Sequence, residues 1–261
     1  MRLYSTLTLA FDESLATITL NRPDKRNAIS YELIDDILHA LAEVQHSSAH
    51  ILILTGAGNA FCSGMDLDNL RSITGRTHEE NRVDSETMAR LFRTLYEFPK
   101  VTIAAVNGPA IAGGCGLATL CDFTLASTEA NFGYTEVRIG FIPAIVSTFL
   151  LRQIGEKQAR DLLLTGRIIG AEEAFRLGLA HEVVAPDKLM ERAHELASTL
   201  LQNSPASLLA TKQLLRSYSS DELTRQIAGA IDENARIRTT ADFREGVTSF
   251  LEKRRPKWSG H

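Results

Sequence analysis

The chain has 261 residues, of which 44% are hydrophobic, so it can bury a sizeable core in one large domain or in one domain with a helical appendage. Its 28 Lys and Arg residues against 32 Asp and Glu give a formal net charge of −4, so no overall positive field favours nucleic acid as a partner. The three cysteines form no Cys-x-x-Cys or Cys/His ligand pattern, which argues against a metal site and for reduced, buried thiols in a cytoplasmic protein.

The uncharged stretch over 101–121 has the length of a membrane span, but its composition is atypical of one. It contains Asn107, Pro109 and four glycines, and no basic cluster flanks it. The N-terminal residues alternate between apolar and polar types and lack the continuous apolar run of a signal peptide. We therefore expect no membrane segment and no membrane partner.

The first half of the chain alternates strand-like and helix-like segments, as in an α/β core. Ser30 is a favourable helix cap, and the apolar residues from Leu33 to Val44 recur with a 3.6-residue period. Residues 66–82 are polar and are predicted to form a mobile or lid-like segment. The other predicted elements are a helix near 84–97 and strands over 7–10, 15–20, 50–55, 101–106 and 123–126.

From residue 145 onward the pattern changes to helix after helix, with one short strand at Val183-Val184. This change predicts a core over residues 1–195 and a C-terminal helical region over 196–261. The helices after residue 187 carry apolar stripes that so short a tail cannot bury by itself, which favours contacts between subunits. The predicted helices cover 145–153, 156–163, 171–177, 187–202, 205–217, 220–237 and 240–252.

The segment over 105–122 is the most informative, because it runs from strand-like into glycine-rich and then into helix-like sequence without a charge before Asp122. A helix that starts on glycines leaves backbone N–H groups without intrahelical acceptors, and these suit a negative charge that develops on a substrate oxygen. The alternative is that the glycines only permit a tight turn or close packing of a helix on a strand. A Rossmann loop is disfavoured, since Gly56–Phe61 lacks the third glycine, and no Walker-type Gly-Lys-Ser/Thr sequence occurs.

Two further segments carry candidate chemistry. The stretch Phe61–Leu67 follows a buried strand and a turn, so the backbone at Gly64-Met65 can supply a second N–H group at the same edge of the sheet. Glu136 lies among apolar and aromatic residues, and burial there would raise its pKa toward the range that suits proton transfer. The alternative is a surface glutamate that pairs with Arg138.

Together these segments resemble the crotonase, or enoyl-CoA hydratase/isomerase, superfamily over nearly the whole chain. No single motif is specific, but their combination is. The matching stretches are Asn21–Ala28, Phe61–Leu67, Ile103–Gly108, Ala112–Gly116, Cys121-Asp122, Phe132–Pro143, Leu164–Ile168, Ala174–Leu179 and Phe250–Arg254.

The resemblance implies an α/β fold of the crotonase type, a ββα spiral core followed by a C-terminal helical trimerisation region, in a homotrimer or a dimer of trimers. It implies an acyl-CoA substrate, with coenzyme A as part of that substrate, no other bound cofactor and no metal. By position, the N–H groups of Met65 and Gly113 match the family's oxyanion hole, and Glu136 matches a catalytic acid/base. The resemblance also implies a set of residues that bind the substrate or its coenzyme A part. These residues are Lys25, Arg26, Ala28, Ser63, Asp66, Leu67, Gly114 and Gly116.

One position departs from the pattern, because hydratases of this family with two glutamates carry the second one where this chain has Gly116. We therefore expect hydration of a 2-enoyl-CoA, with a resemblance to members that hydrate methylglutaconyl-CoA in leucine breakdown. The alternative is a Δ3,Δ2-enoyl-CoA isomerase, for which one glutamate suffices, and a third hypothesis is a non-catalytic protein that binds CoA or RNA. Arg138 is either a partner for a substrate carboxylate or part of an ion pair within the protein.

Overall fold

A computed structural model describes residues 3–261, which form two β-sheets surrounded by helices. The strands are β1 (Leu7–Asp12), β2 (Leu15–Leu20), β3 (Ile51–Gly56), β4 (Val101–Val106), β5 (Ala110–Ile111), β6 (Phe123–Ser127), β7 (Asn131–Gly133), β8 (Ile168–Gly170) and β9 (Glu182–Val184). The helices are α1 (Tyr31–His46), α2 (Leu67–Ile73), α3 (His78–Tyr96), α4 (Gly113–Thr119), α5 (Ala144–Thr165), α6 (Ala171–Leu177), α7 (Leu189–Leu201), α8 (Pro205–Ser217), α9 (Ser220–Ile237) and α10 (Ala241–Leu251). Short 3-10 turns cover Pro23–Lys25, Glu136–Ile139 and Pro186–Lys188.

The larger sheet has the strand order β1-β2-β3-β4-β6-β9, in which β1 and β2 form an antiparallel hairpin and the other neighbours are parallel. The strands β3 and β4 are apolar along almost their whole length because both faces of the sheet are covered. The segments that follow β2, β3 and β4 all leave the sheet at the carboxyl ends of parallel strands. Loops that leave the same edge lie side by side, and such edges are where α/β proteins bind ligands.

The smaller sheet has the order β5-β7-β8 and stands beside this edge. Two isolated bridges join the loops there, one between Ile29 and Met65 and one between Cys62 and Ala110. The segments that follow β2, β3 and β4 are therefore held together by backbone hydrogen bonds.

Most predicted elements agree with the structure, but the segment over 66–82 does not form one polar lid. It contains α2, and α3 begins at His78 rather than near residue 84. Thr77 and Glu80 form a reciprocal capping box that fixes the start of α3. The polar first turns of α3 are also partly buried, since Asn81 and Ser85 are inaccessible to solvent and the Ser85 hydroxyl donates to Asn234 of α9.

The helices predicted over 145–153 and 156–163 form the two parts of α5, which bends at Gly155. Gly155 has φ +73°, outside the helical region, so this glycine allows the chain to change direction. The predicted boundary between residues 195 and 196 falls within α7, and the division into two regions stays a prediction.

The C-terminal helices leave large apolar side chains exposed, among them Leu214, Leu215 and Tyr218 on and after α8. A trimer interface on this surface stays a prediction. All three cysteines are buried and free, as the sequence predicts, whereas the cytoplasmic location stays a prediction. Among the described helices, none has the length and apolar character that crossing a membrane requires.

Two glycines inside helices predict opposite effects of the same substitution. A Cβ on Gly229 in α9 would meet nothing within 4 Å, whereas a Cβ on Gly246 in α10 would lie 2.2 Å from the carbonyl oxygen of Ile139. We expect Gly229→Ala to raise the free energy of unfolding by about 0.5–1 kcal/mol, because it restricts the unfolded chain without a clash. We expect Gly246→Ala to lower it by about 1–3 kcal/mol through overpacking.

Chemical denaturation of the two variants beside the wild type measures both effects. Equal effects of the same sign would contradict the packing of α10 against the 3-10 turn at Glu136–Ile139.

Candidate active site

The loops after β2, β3 and β4 enclose one side of a cavity of about 740 Å³. The 3-10 turn at Glu136–Ile139, the start of α5 and residues of α2, α3, α9 and α10 also line it. The cavity is mostly apolar with a few polar groups, which is the usual character of a site for a small molecule.

The start of α4 packs directly on the loop after β3. A Cβ on Gly114 would lie 2.1 Å from the carbonyl oxygen of Cys62, so the backbones meet there and only glycine fits. A Cβ on Gly64 would lie 3.1 Å from the Cβ of Ala112. Ala112 has φ +52° and ψ −125°, a strained conformation for a residue with a side chain, and its N–H donates to the Gly133 carbonyl at 2.6 Å.

Two backbone N–H groups at this junction have no acceptor among residues 3–261. The N–H of Ile29 donates to Gly64 O and that of Asp66 to Ile29 O, and the N–H of Met65 between these bonds has no acceptor. Gly113 is the first residue of α4, so its N–H has no intrahelical acceptor either. Both residues line the cavity, and two such donors can bind an oxygen that gains negative charge.

Glu136 lies in the cavity wall and is 8% exposed. Its Oε2 atom is buried without a hydrogen-bond partner among the described residues. Burial disfavours the charged form and raises the pKa of Glu136 to about 7. The N–H of Phe141 donates to the Glu136 carbonyl at 3.1 Å and helps to hold the turn that presents this side chain. A carboxyl group with this pKa can both accept and donate a proton near neutral pH.

The structure brings most of the residues singled out from the sequence to one place. Those that line the cavity are Lys25, Arg26, Ala28, Ser63, Met65, Asp66, Leu67, Gly113, Glu136 and Arg138. Gly114 and Gly116 do not line it. Gly114 packs against Cys62, and a Cβ on Gly116 would lie 2.7 Å from Val146 Cγ1 and 3.5 Å from the ring of Phe92. Both glycines thus serve close packing in this structure, and their assignment to substrate binding stays a prediction.

The basic loop after β2 is braced from within. The Asn27 side chain is fully buried, and its Nδ2 donates to the carbonyls of Ala57 and Ala60 at 2.9 and 2.8 Å. Arg22 donates to the Asp66 carboxylate at 2.8 Å. Burial alone would raise the pKa of Asp66, but the N–H of Asp68 and the Arg22 guanidinium hold it below its ordinary value. Asp66 thus stabilises the loop through Arg22 and caps α2. Lys25 and Arg26, which line the cavity, do not bond to Asp66.

Arg138 is exposed and lines the cavity. Within the described part of the chain it makes no side-chain hydrogen bond or ion pair, so the hypothesis of an ion pair within the protein is wrong. A Cβ on Gly166 would lie 3.3 Å from its Cγ, so its stem rests against the turn after α5.

Sequence reasoning missed many residues of the cavity wall, among them Phe92, Val146, Asn234 and Arg238. The first two sit on apolar helix faces that read as ordinary core. Asn234 and Arg238 lie at the end of a strongly amphipathic helix, where a polar side chain gives no sign that it is buried.

Comparisons with known proteins agree with this geometry. The family model described as Enoyl-CoA hydratase/isomerase matches residues 10–261. A Thermus thermophilus protein named "Putative enoyl-CoA hydratase" is 44% identical over 94% of this chain and 97% of its own length. The "Crotonyl-CoA hydratase" of Syntrophomonas wolfei is 33% identical over 97% of each chain. The crystal structure of an enoyl-CoA hydratase from Mycobacterium avium matches 98% of this chain and 100% of its own with a TM-score of 0.88 and 30% identity.

The chain therefore belongs to the enoyl-CoA hydratase/isomerase, or crotonase, family, whose substrates are CoA thioesters. Its mixed α/β architecture is the crotonase fold.

The raised pKa of Glu136 predicts a pH dependence of stability. An ordinary glutamate has a pKa of 4.5, against about 7 in the folded protein. Between these values the folded state binds more protons than the unfolded state, so the free energy of unfolding falls as pH rises through this window. The size of the effect is about 3 kcal/mol. We expect Glu136→Gln to remove this fall, so that the variant gains stability relative to the wild type as pH rises.

Urea denaturation of both proteins between about pH 4.5 and 8 measures the difference. Parallel curves for the two proteins across this window would contradict a buried, unpartnered carboxyl group.

Proposed function

We propose that this protein hydrates a 2-enoyl-CoA thioester, with Glu136 as its acid/base and the N–H groups of Met65 and Gly113 as its oxyanion hole. The observation that carries the proposal is the buried Glu136 carboxyl group in the same cavity as the two N–H groups. Its Oε2 atom has no hydrogen-bond partner among residues 3–261, and its pKa is about 7. The hydratase names of the relatives support the same reaction.

The proposed reaction uses one carboxyl group twice. The Glu136 carboxylate takes a proton from water as the water oxygen forms a bond to C3, and the C2–C3 π electrons move toward the thioester carbonyl. The enolate oxygen then accepts hydrogen bonds from the N–H groups of Met65 and Gly113. The protonated Glu136 returns its proton to C2, which leaves a 3-hydroxyacyl-CoA and restores the carboxylate.

The basic loop after β2 is the proposed binding site for the coenzyme A part of the substrate. Lys25 and Arg26 are exposed residues of the cavity lining. Within residues 3–261, the one ion pair of Lys25 is a long contact of 3.9 Å with the exposed Asp68. These two cations suit phosphate groups, and Ala28, Ser63 and Leu67 line the adjoining wall. No other cofactor is proposed.

The second candidate is a Δ3,Δ2-enoyl-CoA isomerase, and the environment of Gly116 favours it. Val146 and Phe92 occupy the space into which a side chain at position 116 would point, so no second carboxyl group stands there. Moving a double bond requires one base that removes a proton and returns it to another carbon, which Glu136 can do alone.

Replacement of Glu136 tests the shared part of both reactions. We expect Glu136→Gln to lower kcat by about 10²–10⁴-fold, because the amide neither accepts nor returns the proton. Glu129→Gln is the matched control, since Glu129 is exposed, and it keeps wild-type turnover. Unchanged turnover by Glu136→Gln would refute this role of Glu136, and no turnover by the wild type would favour a protein that only binds CoA or RNA.

A product assay distinguishes the two reactions and probes the acyl group. Crotonyl-CoA, 3-hexenoyl-CoA and 3-methylglutaconyl-CoA are compared side by side. We expect the conjugated enoyl absorbance of a 2-enoyl ester to fall as a hydroxyacyl-CoA forms. A rise of that absorbance from 3-hexenoyl-CoA, with no hydration of the other two esters, would instead identify the isomerase.

We also propose a homotrimer or a dimer of trimers, with the exposed apolar side chains of α8 as part of the contact. Leu215 is 62% exposed although it is large and apolar. We expect sedimentation equilibrium to give the mass of three or six chains, and Leu215→Glu to lower it. Gln213→Glu places the same charge on the same exposed helix as a control. A monomer at micromolar concentration would exclude the assembly.

A further inference from the structure

Arg238 is a buried cation in the wall of the cavity. Its side chain is 2% exposed, and its guanidinium carbon lies 5.0 Å from the centre of the Phe141 ring, which also lines the cavity. Its Nη1 donates to the Asp84 carboxylate. The Nε atom is buried without a hydrogen-bond partner among residues 3–261, and Nη2 donates to none of these residues either. Buried guanidinium groups usually have their donors satisfied, so this one has unused capacity.

The cluster of Arg238, Asp84 and Arg76 carries one net positive charge. Asp84 is its acidic partner, and Asp84 is shared with Arg76, which donates to it at 3.0 Å. Tyr31 also bonds to Asp84 and stays neutral, because burial raises its pKa. Two guanidinium groups thus share one carboxylate. A second anion at the cavity wall would improve this balance.

Arg238 lies away from the proposed oxyanion hole, next to an earlier part of α3. Phe92 touches the space beside Gly113, so it marks the place of the thioester carbonyl. Asp84, the partner of Arg238, is eight residues before Phe92 on α3, which is about 12 Å along the helix. Asn234, one turn before Arg238 on α9, lies 2.8 Å from the Ser85 hydroxyl and lines the same wall.

We propose that the acyl end of this cavity is built for an acyl chain that ends in a carboxylate, and that Arg238 is the residue that selects it. The carboxylate would accept hydrogen bonds from the guanidinium nitrogens that do not bond to Asp84. The proposal rests on the proposed function only for the place of the thioester. Arg238 acts on specificity and takes no part in the proton transfers.

Pairs of enoyl esters with equal carbon number test the preference. Glutaconyl-CoA is compared with 2-pentenoyl-CoA, and 2,3-dehydroadipyl-CoA with 2-hexenoyl-CoA. We expect the wild type to favour the carboxylate ester of at least one pair by about tenfold or more in kcat/KM, as for a hydrogen bond to a charged group. A neutral ester that is turned over equally well or better in both pairs would overturn the proposal, while it would leave hydration intact.

The variant Arg238→Gln tests whether Arg238 causes the preference for the carboxylate ester. We expect it to lose about 10- to 150-fold in kcat/KM on the favoured carboxylate ester and less than about threefold on the neutral one. Asp84 keeps Arg76 and Tyr31 as partners in this variant, which favours folding. Arg76→Gln is the matched control, because it removes a partner of Asp84 that does not line the cavity, and it keeps the wild-type preference. Equal losses on both esters in Arg238→Gln would show a merely structural role.

Binding of saturated esters tests the proposed carboxylate site without a variant and without turnover. We expect glutaryl-CoA or adipyl-CoA to bind the wild type about tenfold more tightly than pentanoyl-CoA or hexanoyl-CoA of the same carbon number. This preference without any hydration would support the carboxylate site and contradict the proposed reaction. Hydration without this binding preference would support the proposed reaction and contradict the carboxylate site.

Discussion

The contact between Gly114 and the carbonyl of Cys62 is the constraint on which the site depends. It brings the first turn of α4 against the loop after β3 with no side chain between them. At this distance the N–H groups of Met65 and Gly113, which come from segments almost fifty residues apart, open on the same cavity. The strained backbone of Ala112 is held by its bond to Gly133 and by the close contact with Gly64. Local strain of this kind persists only where the surroundings over-determine the conformation.

Glu136 opposes this rigid junction with a group that the fold does not satisfy. Its Oε2 atom has no partner within the described part of the chain, and burial of the charged carboxylate costs free energy. This cost raises the pKa of Glu136 to about 7. The same cavity thus contains both fixed donors and a proton carrier. Asp66, another carboxylate of the cavity lining, is bonded to Arg22 and keeps a lowered pKa, so it does not compete for the proton.

Much of this arrangement could be predicted from local sequence, because the signals were local. The Ser30 cap and the apolar period after it define α1, and the glycines at 113–116 mark a helix that starts without side chains. The short strands β5, β7 and β8 have only two or three residues each and leave no period to detect. The role of Arg238 could not be predicted for another reason, since its partner Asp84 is 154 residues away and only the fold brings them together. The same holds for Val146, which looks like core until its contact with Gly116 is seen.

The filled space beside Gly116 also bears on how sequences of this family can change. Val146 Cγ1 lies 2.7 Å from where a Cβ at position 116 would be, so a larger residue there requires a smaller one at 146. Each replacement alone is unfavourable, one through a clash and the other through a void. Paired substitutions at 116 and 146 therefore favour passage between a site with one carboxyl group and a site with two, and the two positions are expected to covary.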